Sequence, residues 1–429
     1  MKLLLVAMLA AAAVHAEPAP LVAPAPPPRA ASGASGSFDP AAATRAYLDL
    51  LPAAKRAQSD AYFEGGYWLT LFGFLWSAGI ALLLLFTGLS ARMRDRAERW
   101  AGSETLRTLG YWVQFVAVTA VLGFPLSVYR DWFREHHYGL SNLTFAGWLG
   151  EEGKGLLVSL VFGGLALVAL YAVVRRLPRT WWVWGAGITV AFFIIGALVA
   201  PVLIVPLFNS PKRLADQRVT GPILSLARAN GIAAQEVWEI DASKQTTRVS
   251  ANVSGLLGTE RITLNDNLLA RCSLPEIESV MGHEMGHYVL NHVYKLIWEF
   301  GVIIVVGFAL LKTFFERVRL RYEARFGVRG ISDLAGLPLV TLLFSVYLTA
   351  LTPLLNTIIR TSEQEADMFG LNAARQPDGF AQTALKLSEY RKLEPGVLEE
   401  LIFYDHPSGR TRIFSAMRWK AEHPETWSK

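Results

Sequence analysis

The chain has 429 residues, 52% of them hydrophobic and 18% charged, with a mean hydropathy of +0.31. That balance excludes an ordinary soluble enzyme and belongs to a membrane protein. The formal charge of +5 does not mark a nucleic-acid binder, since the basic residues stand beside apolar runs; the single Cys272 excludes an intrachain disulfide and any cysteine-rich metal site.

Residues 1–16, with Lys2, the apolar run from Leu3 to Val14 and a small-residue exit at Ala16, read as a secretory signal peptide cleaved after Ala16. Residues 17–45, rich in Pro, Ala and Gly, read as a disordered linker outside the cytoplasm. A four-span membrane region is expected over 46–208, from apolar runs at 67–89, 111–129, 155–174 and 181–208. Each run is near the ~20 residues that a helical span needs. Trp68, Tyr111, Trp112, Trp181 and Trp182 sit at their ends as interfacial aromatics do. An extramembrane region over 209–295 follows, then two further spans with a basic loop over 296–359, and an extramembrane C-terminal region over 360–429. No internal repeat is found.

The loops carry an orientation. Arg92, Arg94, Arg96 and Arg99 follow the first span, Arg175, Arg176 and Arg179 the third, and Lys312, Arg317, Arg319, Arg321 and Arg325 the fifth. By alternation these loops share one side, which the positive-inside rule makes cytoplasmic. The region 209–295 and the tail then face the other side. The expectation is an integral protein of a bacterial inner membrane with these regions in the periplasm.

Within 209–295 lies His283-Glu284-Met-Gly-His287. On a helix, residues four apart share a face, so both imidazoles can bind one ion, and Glu284 can reach a water on it as general base. The pattern points to metal-assisted peptide hydrolysis with one Zn2+ per chain, acting on a peptide or protein substrate beside the lipid bilayer. Pro275 and Glu276 read as the helix start. Gly282 and Gly286 reduce helix propensity, so their missing bulk is expected to serve close approach of backbone or substrate.

A third ligand is sought in Glu363-Gln-Glu-Ala-Asp367, where Glu363 and Asp367 share a helical face. One can bind the ion while the other accepts the free N–H of a ligand histidine; Glu365 points half a turn away and is the weaker candidate. His406-Pro407 and Arg412 in the tail are spaced to approach one substrate oxygen. From spacing alone, the plainer account of them is a loop histidine before a turn and a helix-starting arginine. His292 lies off the face of His287 and is not expected to bind the same ion. Glu236–Ile240 and Arg261–Leu264 read as strands, with turn signals at Ser254-Gly255 and Leu257-Gly258; they form either a substrate-pairing edge near Asn252 or a hairpin covering the metal helix.

Over roughly residues 60 to 420 the chain resembles the CAAX prenyl endopeptidase family, integral-membrane zinc metalloproteases of the gluzincin type, and more distantly the bacterial heat-shock membrane metalloproteases. The resemblance is carried by His283-Glu284-Met-Gly-His287, by Glu363-Gln-Glu-Ala366-Asp367 and by His406-Pro407 with Arg412. Gly123–Tyr129 and Asp241–Lys244 also look like family segments. It implies His283, His287 and Glu363 as zinc ligands, Glu284 as base, Asp367 as supporting acid or proton donor, and spans enclosing a chamber. The family's asparagine-alanine pair on the substrate strand appears here as Ser250-Ala251. Eukaryotic members are expected to act toward the cytosol on prenylated chains; the loop charges place this site outside, where a prenylated CAAX substrate is not expected.

The expected fold class is α, a polytopic transmembrane helical bundle with a zincin-like metalloprotease site and a small β-hairpin element. A catalytically idle membrane chaperone retaining a structural zinc is the alternative, and the intact Glu284 counts against it. A transporter would place more ionisable groups within the spans than Glu299.

Overall fold

The structure, a computed structural model, describes residue 28, residues 38–254 and residues 260–426. The expected signal peptide, most of the linker and the turn signals at Gly255, Leu257 and Gly258 lie outside the described residues. The linker does not extend to residue 45: Asp39 caps a helix Pro40–Leu48 by accepting from the Ala41 N–H. Ala43, Tyr47 and Leu48 of that helix are buried against Phe380, Ile413 and Trp419 of the C-terminal region, and Tyr47 donates to Asp378 at 2.7 Å. Apolar burial, invisible in a Pro/Ala-rich reading, orders these residues.

Among the described residues, five helices are long and apolar enough to cross a membrane: Ala53–Phe86, Glu104–His137, Phe145–Arg176, Trp181–Val199 and His292–Arg321. The expected sixth span over 337–359 is not one straight helix. Leu334–Ala350 and Thr352–Ala374 meet at a bend of 59°, and become a sixth crossing only if counted as one broken span. Pro353 stands in the first turn of the second segment, where its ring and missing N–H oppose continuation of the first. The bend turns the later half of an apolar helix into the support for Glu363 and Asp367.

The bundle has two poles. At one, Arg94 reaches Asp333 at 2.5 Å and the Gly327 carbonyl at 2.9 Å, Arg329 pairs with Glu98 at 2.8 Å, and Arg175 lies 3.4 Å from Glu104. These contacts gather the loops after the first, third and fifth spans, as alternation required. At the other pole, Tyr62 before the first apolar run donates to Glu135 at 2.6 Å, and Arg248 donates to both, at 2.8 and 2.6 Å.

The residues beyond the fourth span build a small sheet at this second pole. β1 (Lys212–Arg213), β2 (Val237–Ile240), β3 (Ala251–Ser254) and β4 (Arg261–Asn265) stand in the order β1-β2-β4-β3. The two strands read from sequence are therefore neighbours, but parallel rather than the two arms of a hairpin; β3, antiparallel to β4, forms the edge. Parallel neighbours need a crossover, and the chain between β2 and β4 includes the short helix Ala242–Lys244 and β3 itself. Ile262 and Leu264 of β4 bury against Ile277, Met281 and Met285 of helix Leu274–Val289, with Ile223 and Cys272 in the same core.

Candidate metal centre and active site

The helix carrying His283 and His287 starts where its sequence says it should. Ser273 precedes Leu274-Pro275, and Glu276 folds back to accept from the Ser273 N–H at 2.6 Å and its hydroxyl at 2.7 Å, a capping box. Helix Thr352–Ala374 crosses this helix at backbone contact. A Cβ at Gly286 would meet Ala366 Cα at 3.1 Å, and one at Gly370 would meet the His283 nitrogen at 2.7 Å. The missing bulk at Gly282 and Gly286 therefore serves approach of the second helix, and it brings Glu363 onto the two histidines.

The donor atoms converge. His283 Nε2 and His287 Nε2 are 3.1 Å apart, and Glu363 oxygens lie 3.3 and 3.5 Å from them. Tetrahedral zinc with nitrogen ligands at about 2.05 Å separates its donors by about 3.3 Å, so the two imidazole nitrogens, each with a different Glu363 oxygen beside it, are spaced as ligands of such an ion are. Two further observations suit a cation. The Oε2 of Glu363 is buried with no hydrogen-bond donor, although His283 Nε2 and His406 Nε2 lie 3.3 and 3.1 Å away, off the hydrogen-bonding directions. His283 also titrates high, pushed up to about 10: burial opposes its charge, but Asp367 and Glu363 outweigh burial. The pocket favours positive charge at its centre.

Behind the donors stands a supporting shell. Asp367 accepts from His283 Nδ1 at 2.8 Å, which leaves Nε2 with its lone pair toward the ion position. Arg412 grips Asp367 through Nε at 2.9 Å and Nη2 at 2.5 Å. Of the two readings left open by spacing, the geometry gives Glu363 the ion-facing position and Asp367 the supporting one. It also turns Arg412, which lies in the first turn of helix Gly409–Glu422 and lines the cavity with His406, onto Asp367.

His287 has support that sequence reasoning missed. Its Nδ1 lies 2.9 Å from His292 Nδ1, and His292 Nε2 lies 3.0 Å from Glu365 Oε2, which Lys295 also holds at 2.8 Å. His292 does not enter the donor set, as expected, but stands directly behind it. Helical phase between residues 287 and 292 misleads because Asn291 is in the left-handed region, φ 58°, and breaks the helix there. Asn before a new apolar run is a helix-stop signal, and was the available clue.

Glu284 opens onto a cavity of about 220 Å³ lined also by Ser250, Ala251, Tyr390, Arg391, His406 and Arg412. Burial pushes its carboxyl up, with His283 and His287 pulling the other way, and no described residue hydrogen-bonds it. A carboxylate left free beside a convergent donor set is suited to take a proton. His406 Nδ1 lies 2.8 Å from Asp405, and this imidazole titrates high: burial and Arg391 lower it, Glu363 and Asp405 raise it more. The ring nitrogens of His136 both lie 2.7 Å from backbone carbonyls, of Trp132 and Leu143, which ties a loop rather than forming a second metal site with His137.

Ser250 and Ala251, at the start of the edge strand, face the cavity, whereas Asn252 is exposed. An extended chain can add to that free edge within reach of Glu284.

Known proteins are similar to this chain in sequence and fold. Residues 213–420 match the model of peptidase family M48, and residues 43–210 match that of the CAAX prenyl protease N-terminal region, described as five membrane helices. The uncharacterized metalloprotease YhfN of Bacillus subtilis is 30% identical over 79% of this chain and 82% of its own. CAAX prenyl protease 1 of Saccharomyces cerevisiae is 26% identical over 69% of each. The crystal structure of S. mikatae Ste24p superposes with a TM-score of 0.72 at 21% identity, over 86% of this chain and 90% of that one, and so shares the fold. With the histidine pair, the third acid and the membrane helices all inside the matched segments, this chain belongs to peptidase family M48 and is a membrane metalloprotease.

Proposed function

We propose that the metal is a single Zn2+ held by His283, His287 and Glu363, and that the protein is an endopeptidase of peptides or proteins reaching the second pole of the bundle. The observation that carries this reading is the convergence of His283, His287 and Glu363, one donor atom of each within 4.8 Å of the others, beside Glu284, which no described residue hydrogen-bonds. When bound, zinc supplies a Lewis acid that polarises the scissile carbonyl and lowers the pKa of the attacking water. Glu284 takes the proton of that water and delivers it to the departing amine. His406 donates to the oxygen that gains charge, its Nδ1 being held by Asp405. Asp367 and Arg412 act one layer back: the arginine fixes the carboxylate, and the carboxylate fixes the tautomer and plane of His283.

Zinc analysis of the purified protein tests the assignment. About one zinc per chain is expected, lost in Glu363→Ala and kept in Glu365→Ala; the reverse pattern would overturn the ligand set.

The site is further assigned to the periplasmic face of a bacterial inner membrane, with residues 1–16 as signal, 46–208 and 296–359 as membrane regions, and 209–295 and 360–429 outside. The gathering of Arg94, Arg175 and Arg329 at the pole remote from Glu284 supports this orientation. With Cys272→Ser as background, cysteines placed near Asn252 and Ser408 should be labelled from outside intact cells. Cysteines near Arg94 and Arg321 should be labelled only after permeabilisation. Labelling of Arg94 but not Asn252 would turn the site to the cytoplasm and restore C-terminal processing of lipidated chains as the reading.

A further inference from the structure

Two guanidiniums line the active-site cavity, and a third, Arg248, stands beside its Tyr390 wall. Arg412 is committed to Asp367, and Arg248 to Glu135 and Tyr62. Arg391 lines the cavity with Glu284 and His406, is half-buried, and among the described residues forms no ion pair and donates no side-chain hydrogen bond. Its backbone is nonetheless anchored, its carbonyl accepting from Ser59 Oγ at 3.0 Å. A partly desolvated guanidinium held at a cleft without an acid is a recognition group for planar anions, because its fork of donors matches a carboxylate.

The strand edge indicates which part of a substrate would meet it. Arg248, just ahead of the edge residues Ser250 and Ala251, lies over the Tyr390 ring at 5.2 Å, so Tyr390 and Arg391 stand near the beginning of β3. A substrate adding antiparallel to β3 runs its carboxyl-terminal part toward that beginning. We propose that Arg391 is a specificity-determining residue that binds a carboxylate on the C-terminal side of the scissile bond, from either the free chain terminus or an acidic side chain. The inference rests on the endopeptidase reading above, and it explains why this arginine, unlike Arg412 and Arg248, forms no ion pair among the described residues.

Quenched fluorescent peptides of one sequence test it in three forms: free C-terminal acid, C-terminal amide, and amide with an aspartate placed at successive positions beyond the scissile bond. The native protein should favour a carboxylate form over the plain amide by about tenfold or more in kcat/KM, chiefly through KM. Preference for the free acid alone identifies the chain terminus as the source, and preference for an aspartate peptide identifies a side chain. Arg391→Gln should bring the ratio to about one, Arg391→Lys should retain part of it, and Arg391→Glu should favour a lysine in place of the aspartate. Arg418→Gln, the same loss of charge on an exposed helix face, should leave the ratio unchanged. Equal cleavage of all three forms by the native protein, or an intact preference in Arg391→Glu, would overturn the subsite while leaving the endopeptidase standing. Peptide cleavage that survives Glu284→Gln would instead remove the reading beneath it.

Discussion

The two poles of the bundle bury charge in opposite ways. At the basic pole Arg94 and Asp333, with side chains 7% and 4% exposed, satisfy one another; Arg94 also holds the Gly327 carbonyl, and Asp333 accepts from the backbone of Arg329 and Ala335. Both members of that pair have their partners, and the pair locks loops together. At the metal pole, among the described residues, Glu284 has no hydrogen-bond partner, Glu363 Oε2 has no donor, and Arg391 forms no ion pair. Saturated buried charge holds a fold, whereas unsaturated buried charge awaits something absent from the chain itself. The Tyr62–Glu135–Arg248 network shows that pairing of the carboxylate, not location, makes the difference: it lies near the cavity, yet both Glu135 oxygens accept, one from Tyr62 and one from Arg248.

Four substitutions put weight on that contrast. Glu284→Gln should have the largest effect, lowering kcat by about 10^3-fold or more, because the amide cannot accept the water's proton. Zinc content and thermal midpoint should stay near native; an active Glu284→Gln would break the comparison at its strongest point. Arg94→Ala leaves Asp333 buried and unpaired, and should cost about 3 kcal/mol of stability, read as a lowered unfolding midpoint in detergent. Zinc per folded chain should not change, and a loss of zinc would mean that the poles are not independent. His292→Ala should weaken zinc affinity by about tenfold to 100-fold in competition with a chelator, with little change in folding, since it removes the partner of His287 Nδ1. The smallest effect belongs to Tyr62→Phe, about 1 kcal/mol of stability with zinc affinity unchanged. If this paired network instead governed the metal, pairing would be the wrong dividing line.

Much of the site could be read before any fold was known, because it is written in helical period. His283 and His287, and likewise Glu363 and Asp367, are four apart, and four residues return a helix to the same face whatever surrounds it. The spans were legible for a similar reason: their length and apolarity follow from the bilayer's thickness. Loop charge is also local, and contacts of Arg94 and Arg175, two of the arginines expected to share one side, tie the loops after the first, third and fifth spans at one pole.

What the sequence could not specify is which surfaces come against those faces. Whether Glu363 or Asp367 would take the ion depends on the crossing of two helices at Gly286 and Gly370, and that crossing needs the 59° bend before Pro353. The partnership of His287, His292 and Glu365 depends on one left-handed residue, Asn291, and on a helix that begins sixty residues later in the chain. Arg412 follows the same logic: its place six residues after His406 says nothing of Asp367, on which the fold sets it. Period and hydropathy are properties of one segment and survive in the sequence, whereas a hydrogen bond between distant segments exists only once packing has chosen their distance and angle.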